Sequence, residues 1–232
     1  MTVTAPPDPR PARTLARRAY RWLRRDIVQG RLPAGSKLRL ESLVQEYAIG
    51  MSPLREALAR LAGDRLVTSQ DQRGFWVAPL TVEDLDDIHR LRILVAGEAL
   101  RTSVARGDSA WEAGLRAALA RLDTTAAPEA WSDLDPDEPE DPVLRFHQAL
   151  LGACGSPWLL ALQELLHRQA ERYRLACLPD ACDPQALRQT LATIAQAAFV
   201  RDADAAWQGL SAHLARTHAA VRQALEQAPP AR

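Results

Sequence analysis

Cysteine is scarce in this 232-residue chain: Cys154, Cys177 and Cys182 are its only 3. The number is odd, and Cys177 and Cys182 have no second pair to match them, so neither a disulfide framework nor a metal-knuckle spacing can be built. Reduced thiols in a cytoplasmic protein are the reading that remains. No apolar run approaches the roughly 20 residues that cross a bilayer. The opening MTVTAPPDPRPAR is proline-rich and lacks the apolar centre of a secretory leader. Catalytic signatures are missing too: there is no nucleophile elbow, no phosphate loop and no His-Glu-x-x-His pair. Internal repeats are absent.

The formal net charge is +0, but it is unevenly spread. Residues 1–80 hold 14 Lys+Arg against 7 Asp+Glu, and the remainder holds 15 against 22. A basic piece is therefore joined to an acidic one, which points to a polyanionic partner for the first. Apart from Lys37, arginine supplies all of the basic segment's positive charge.

Residues 1–13 read as a disordered arm. From Thr14 to Gln29, Leu15, Ala19, Trp22, Leu23 and Ile27 share one face of an amphipathic helix that Gly30 ends. Pro33 and Gly35 mark a turn before a short extended piece. ESLVQEYAIG makes a second helix with Leu43, Val44 and Tyr47 apolar and Gly50 as its stop. MSPLREALARLAG makes a third, with Ser52 as N-cap and Pro53 at the first helical position. Leu54, Ala57, Leu58 and Leu61 form its buried stripe, leaving Ser52, Arg55 and Arg60 outward. Val67, Phe75 and Val77 flank Asp71-Gln72-Arg73-Gly74, a β-hairpin with its tip near Gly74.

Beyond Pro79 only long helices follow, at 82–106, 109–123, 142–154, 157–177, 184–201 and 203–226. The acidic stretch TTAAPEAWSDLDPDEPED reads as a solvated connector, since it lacks the alternating ligands and glycine of a calcium loop. The expected fold is mostly α: a winged helix-turn-helix over 14–80 (three helices plus a β-hairpin), then an all-α bundle of about six helices over 81–226. Residues 227–232 form a tail.

In a helix-turn-helix the second helix of the pair enters the major groove, and its first residues meet base edges and phosphates. Here those are Ser52, Pro53 and Arg55. Taken alone, Ser52 could be a cap and Arg55 a solvated side chain. The surrounding segment argues otherwise, because it also presents Arg39 before the second helix, Arg60 on the outer face, and Arg73 and Gly74 at the wing. Ser52 can donate to a phosphate, and Arg55 can fork onto guanine. Arg73 can approach the neighbouring minor groove.

The stretch IVQGRLPAGSKLRLESLVQEYAIGMSPLREALARLAGDRLV, followed by QRGFWVAPLTVEDL, resembles the DNA-binding domain of the GntR family of bacterial transcription regulators. The likeness covers about residues 15–80, with turn, helix and wing elements in the family's order. It departs from the family at Ala48, where glycine is frequent, at Gly50-Met51, where Ser-Arg is frequent, and at Asp64-Arg65-Leu66, which replaces Glu-Gly-Leu. LTVEDLDDIHRLRILVAGEAL, FHQALLGACGSPWLL and VRDADAAWQGLSAHL are similar to the helical effector domain of the FadR-like branch, called FCD.

That resemblance implies a polar cavity in which many members hold a divalent metal such as zinc or nickel through an Asp and three His, with small carboxylic acids docking on it. Two of the four positions match, at His147 and His213. The Asp position is Val143, with Asp141 on the wrong face, and the remaining His position is Leu191. The set is incomplete, so no cofactor is assigned. His147 and His213 are taken as effector-binding, with Arg92, Arg172 and Tyr173 beside them, while His89, His167 and His218 read as structural. The resemblance implies a repressor rather than an enzyme: a homodimer on a double-stranded DNA operator, released by an organic acid, with no membrane partner. Two other readings stay open, a DNA-binding dimer with a degenerate effector site and a helical metal-assisted hydrolase using His147 and His213.

Overall fold

The computed structural model describes residues 10–70, 74–124, 141–178 and 183–227. Arg73, residues 1–9 of the expected arm, residues 125–140 of the acidic connector and the tail residues 228–232 lie outside them. Among the described residues the chain divides into two compact units, Met1–Leu80 and Thr81–Arg232. None of the helices in these residues is long and apolar enough to cross a membrane.

In the first unit, α1 (Arg10–Val28) begins four residues before the expected Thr14. It buries Ala19, Leu23 and Ile27, with Trp22 partly covered. Asp26 on the same face is buried but well partnered. Its carboxylate accepts from the Tyr47 hydroxyl and from Arg31 Nη2 at 2.5 Å, tying α1 to the next helix and to the turn after α1. A buried carboxylate without such donors would cost several kcal/mol.

The second helix, α2 (Leu40–Tyr47), turns Leu43 and Tyr47 inward. It stops at Ala48, whose φ of 51° is left-handed, and not at Gly50 as expected. Gly50 has an ordinary φ of −61° and serves as N-cap of α3 (Met51–Gly63). Ser52 is therefore inside the helix and caps nothing. The first turn closes two residues earlier than a Ser52 cap would set it, through the Leu54 amide to the Gly50 carbonyl at 3.3 Å. Pro53 is tolerated because amides of the first turn have no intrahelical partner to lose. Leu54, Ala57, Leu58 and Leu61 form the buried stripe.

β2 (Val67–Gln70) and β3 (Gly74–Val77) pair antiparallel, Val67 opposite Val77 and Gln70 opposite Gly74. The expected two-stranded wing gains a third member, because β1 (Lys37–Leu38) pairs with β3 through Lys37 opposite Trp76. The strand order is β1-β3-β2. Leu38, Val67 and Val77 point into the core. Ala48 and Arg65 have φ of 51° and 59°, so this chain places side chains on left-handed backbone at both positions.

The second unit contains α4 (Val82–Arg106), α5 (Ser109–Thr124), α6 (Pro142–Leu151), a 3₁₀ turn (Gly152–Cys154), α7 (Pro157–Cys177), α8 (Pro184–Phe199) and α9 (Ala203–Gln227). The caps explain most starts. Thr81, Asp141, Ser156 and Asp183 each accept amide hydrogen bonds at a helix start, three of them just before a proline. Ala99, Leu100, Leu115, Phe146, Leu150, Leu191 and Leu210 build one core. At Gly97 an added Cβ would lie 3.2 Å from the Trp207 ring, so α4 and α9 meet closely there and even an alanine would require the ring to shift by a few tenths of an ångström.

Candidate functional site

On the first unit, α3 buries one face and exposes Met51, Ser52, Arg55, Glu56 and Arg60, while Pro53 is half-exposed. The helix start carries no side-chain cap. Its free amides and the outward Ser52 and Arg55 are thus open to an anionic partner. Arg39 stands exposed at the N-cap position of α2, also without a side-chain cap. Arg60 is partly committed, its guanidinium lying 4.1 Å from the centre of the Tyr20 ring. Gly74 opens β3 with a φ of 105°. Lys37, which the sequence reading passed over, lies over Trp76 at 5.1 Å and so belongs to the wing.

The second unit encloses a cavity of about 360 Å³. Arg92 of α4 lines it, with Val143 and His147 from α6, His167, Glu171 and Arg174 from α7, Thr190 from α8, and His213 and Arg216 from α9. Its remaining wall is largely apolar, including Ala170, Leu187 and Leu214. Arg92, His147 and His213 are thus brought together.

Arg172 and Tyr173 are not part of this wall. The cavity face of α7 runs through His167, Ala170, Glu171 and Arg174, and helical periodicity turns Arg172 and Tyr173 off it. The Tyr173 hydroxyl instead donates to Asp84 at 2.8 Å and accepts from the Thr81 amide at 3.2 Å. Arg174, one turn on from Ala170, occupies the cavity wall, bound to Glu171 at 2.5 Å.

His167, expected to be a structural residue, joins the cavity wall, and Asp141, the N-cap of α6, stands behind it. Asp141 accepts the amides of Val143 and Leu144 on Oδ1, and its Oδ2 lies 2.7 Å from His167 Nε2. An N-cap is not bound by the helix's facial periodicity, which is why counting six residues back from His147 placed it wrongly. The Asp-Pro pair at 141–142 was the available signal. His167 Nδ1 lies 3.4 Å from Arg92 Nη2 and 3.3 Å from His147 Nδ1. Arginine only donates, so the His167 Nδ1 lone pair accepts and its proton sits on Nε2, facing Asp141. His218 and His89 lie elsewhere: His218 Nε2 is 2.7 Å from Asp86, and the two rings stack at 4.2 Å.

These groups favour an anion. Burial lowers the Arg92 guanidinium to about 10, with Glu171 and Asp141 only partly opposing. No carboxylate forms an ion pair with it among the described residues. Burial also holds His147 well below the usual histidine range, helped by His167, Arg92 and His213, and lowers His213 to about 4. Both are neutral near pH 7. Burial pushes the Asp141 carboxyl up, but His167 and the two amides outweigh it and leave it low and charged. His147 Nε2 is buried with no hydrogen-bond partner among the described residues.

A metal cage does not fit this arrangement. Asp141 has spent both oxygens on amides and His167, and His167 has committed Nε2 to that carboxylate and Nδ1 to Arg92 and His147. No group of three or more His, Cys, Asp or Glu among the described residues is placed to hold a metal ion. Leu191 is fully buried core.

Two protein-family patterns match the chain: "Bacterial regulatory proteins, gntR family" over residues 15–77 and "FCD domain" over residues 87–216. The HTH-type transcriptional regulator BphR of Paraburkholderia xenovorans (strain LB400) is 35% identical over 221 residues, 91% of this chain and 86% of that one. The HTH-type transcriptional repressor GlaR of Escherichia coli (strain K12) is 38% identical over 159 residues, 68% of this chain and 72% of its own. Among solved structures, E. coli McbR/YncC superposes with a TM-score of 0.68 at 22% identity, covering 90% of this chain and 97% of that chain.

Proposed function

The chain belongs to the GntR family of DNA-binding transcription regulators and carries an FCD effector domain, and from that premise we propose that it is a cytoplasmic homodimeric repressor released by a small carboxylate held without metal. It is a regulator and not an enzyme. Residues 14–80 act as the DNA-binding domain and residues 81–226 as the effector-binding and dimerising domain. The name of GlaR, a repressor, supports the direction of control.

On DNA, Arg55 reads a base edge from the start of α3, with Ser52 and Pro53 at the phosphates beside it. Arg39 and Arg60 hold backbone phosphates, and Arg73 and Gly74 carry the wing to the adjoining groove. Two copies related by a two-fold axis match half-sites one helical turn apart.

In the effector domain, one observation carries the reading: a half-buried guanidinium with no carboxylate ion-pair partner among the described residues, beside an unpartnered His147 Nε2, both residues on a cavity of about 360 Å³. A carboxylate on Arg92 supplies the missing countercharge; His147 Nε2, left as an acceptor because Nδ1 donates to His167, takes a hydroxyl of the ligand, and His213 lines the same wall. The ligand shifts the operator equilibrium by its differential affinity for the two states of the protein. The test is a thermal-shift screen of small carboxylates with and without a chelator, followed by operator titration. A shift that survives chelator and weakens operator binding supports the reading. A shift that the chelator abolishes overturns direct anchoring on Arg92.

A further inference from the structure

The start of α3 holds an apolar side chain in polar surroundings. Met51, the first residue of the helix, is 43% exposed, and among the described residues it is the one large apolar side chain of the first unit left in water. A lone exposed apolar residue needs no explanation by itself. Its place gives this one a meaning. Gly50 before it has no side chain to cover it, and Ser52 and Arg55 are exposed as well. Arg55 lies four residues on, about 40° around the helix and about 6 Å along it. Met51 and Arg55 therefore share one outward side of α3, a turn apart.

Met51 adds nothing to the attraction of a basic unit for a polyanion. A thioether carries no charge, donates no hydrogen bond and accepts only weakly. It is unbranched and polarisable, which suits it to packing on a small apolar target. The major groove offers one such target, the C5 methyl of thymine. The other base edges there present N–H donors or oxygen and nitrogen acceptors. Covering those with methionine strips their water and returns no hydrogen bond, so the same side chain that favours thymine works against guanine and adenine. The first residues of a recognition helix are the ones that meet base edges.

We propose that Met51 is a specificity-determining residue that packs on a thymine methyl one or two base pairs from the base read by Arg55. The proposal rests on the reading of α3 as the recognition helix and adds an apolar contact to each half-site. A separation of about 6 Å between the two residues, against about 3.4 Å for each base-pair step, sets the distance between the two positions. Arg55 forks onto guanine, so each half-site carries a guanine and a thymine at that spacing. The methyl contact is worth about fourfold in affinity for one half-site and about fifteenfold for both.

The test selects duplexes from a random-sequence pool with the full chain, as wild type, Met51→Ala and Arg55→Ala, and then titrates the wild-type consensus. Wild type is expected to recover a thymine one or two base pairs from the guanine that Arg55→Ala ceases to select. Met51→Ala should lose selection at that thymine and keep the guanine. Replacing the thymine by deoxyuridine removes only the methyl. This should weaken wild type about fourfold for each half-site and leave Met51→Ala unmoved. Because that change is made in the DNA, the wild-type titration decides the matter even where a variant folds poorly. No deoxyuridine penalty in wild type, or an equal penalty in wild type and Met51→Ala, overturns Met51 as the methyl reader and leaves Arg55 standing. Selection unchanged in both variants overturns the recognition-helix reading itself.

Discussion

Replacing Arg92 by methionine is expected to make the ligand-free protein more stable. Burial lowers the guanidinium from its usual arginine range to about 10 even with Glu171 and Asp141 opposing. At 1.36 kcal/mol for each pKa unit, the folded state gives up about 3 kcal/mol to keep the charge. Water in the cavity softens that figure, so a gain of about 1–3 kcal/mol is expected when methionine fills the space with an apolar stem of similar length. His167 Nδ1 keeps a neighbour at His147 Nδ1, 3.3 Å away, so the change strands no acceptor. For a unit of this size the thermal midpoint should rise by roughly 3–8 °C. Differential scanning calorimetry on both proteins reads this directly, and the stabilisation by small carboxylates should vanish in the variant. Arg92→Lys, which keeps the charge, should stay near wild type without ligand. A midpoint that falls in Arg92→Met would refute the reasoning, because it would make Arg92 a support of the fold and not a waiting anion site.

The other expectations concern backbone, protons and salt. Ala48→Gly should stabilise the first unit by up to about 1 kcal/mol, since Ala48 sits at a left-handed φ of 51° that costs an alanine more than a glycine; a lower urea midpoint would contradict it. His213 has its pKa depressed to about 4, below the 6.5 of an open histidine. Between those values the unfolded chain binds a proton that the folded one refuses. About 3 kcal/mol of stability, complete above pH 6.5, is thus lost as pH falls towards 4, and His147 acts in the same direction. Urea midpoints from pH 7.5 to 4.5 check this, and the slope should flatten in His213→Gln. Arg39→Ala should reduce the salt dependence of operator binding by about one phosphate contact and leave sequence preference unchanged. Altered preference would make Arg39 a base reader.

Periodicity alone located the long helices, because apolar spacing and Pro or Gly punctuation act through local chemistry. The α7 boundaries, Pro157–Cys177, follow from a serine cap before proline at one end and the LPDACDP break at the other. Cap geometry was less legible. Ser52 has the chemistry of an N-cap, but left-handed Ala48 ends α2 early and Gly50 takes the position instead. β1 escaped notice as a partnered strand because two residues show no alternation, and only the fold brings Lys37 to Trp76.

In the cavity, His147 and His213 stood out through the resemblance, and Arg92 with them. His167 and Asp141 did not, since their meeting depends on α7 packing beside the start of α6, a separation of 26 residues that no local pattern encodes. Arg172 and Tyr173 failed for a simpler reason: adjacent residues on a helix point apart, and the packing of α7 decided which ones lined the cavity.

The measurement that bears most directly on the whole account is selection of genomic DNA by the purified full chain, followed by titration of the recovered site with wild type and Arg55→Ala. The account predicts an inverted repeat with half-sites about one helical turn apart. It also predicts a loss of about 1–3 kcal/mol on removing Arg55, with preference relaxed at one base pair in each half-site. Recovery of sequences without two-fold symmetry, bound equally well by Arg55→Ala, would contradict it.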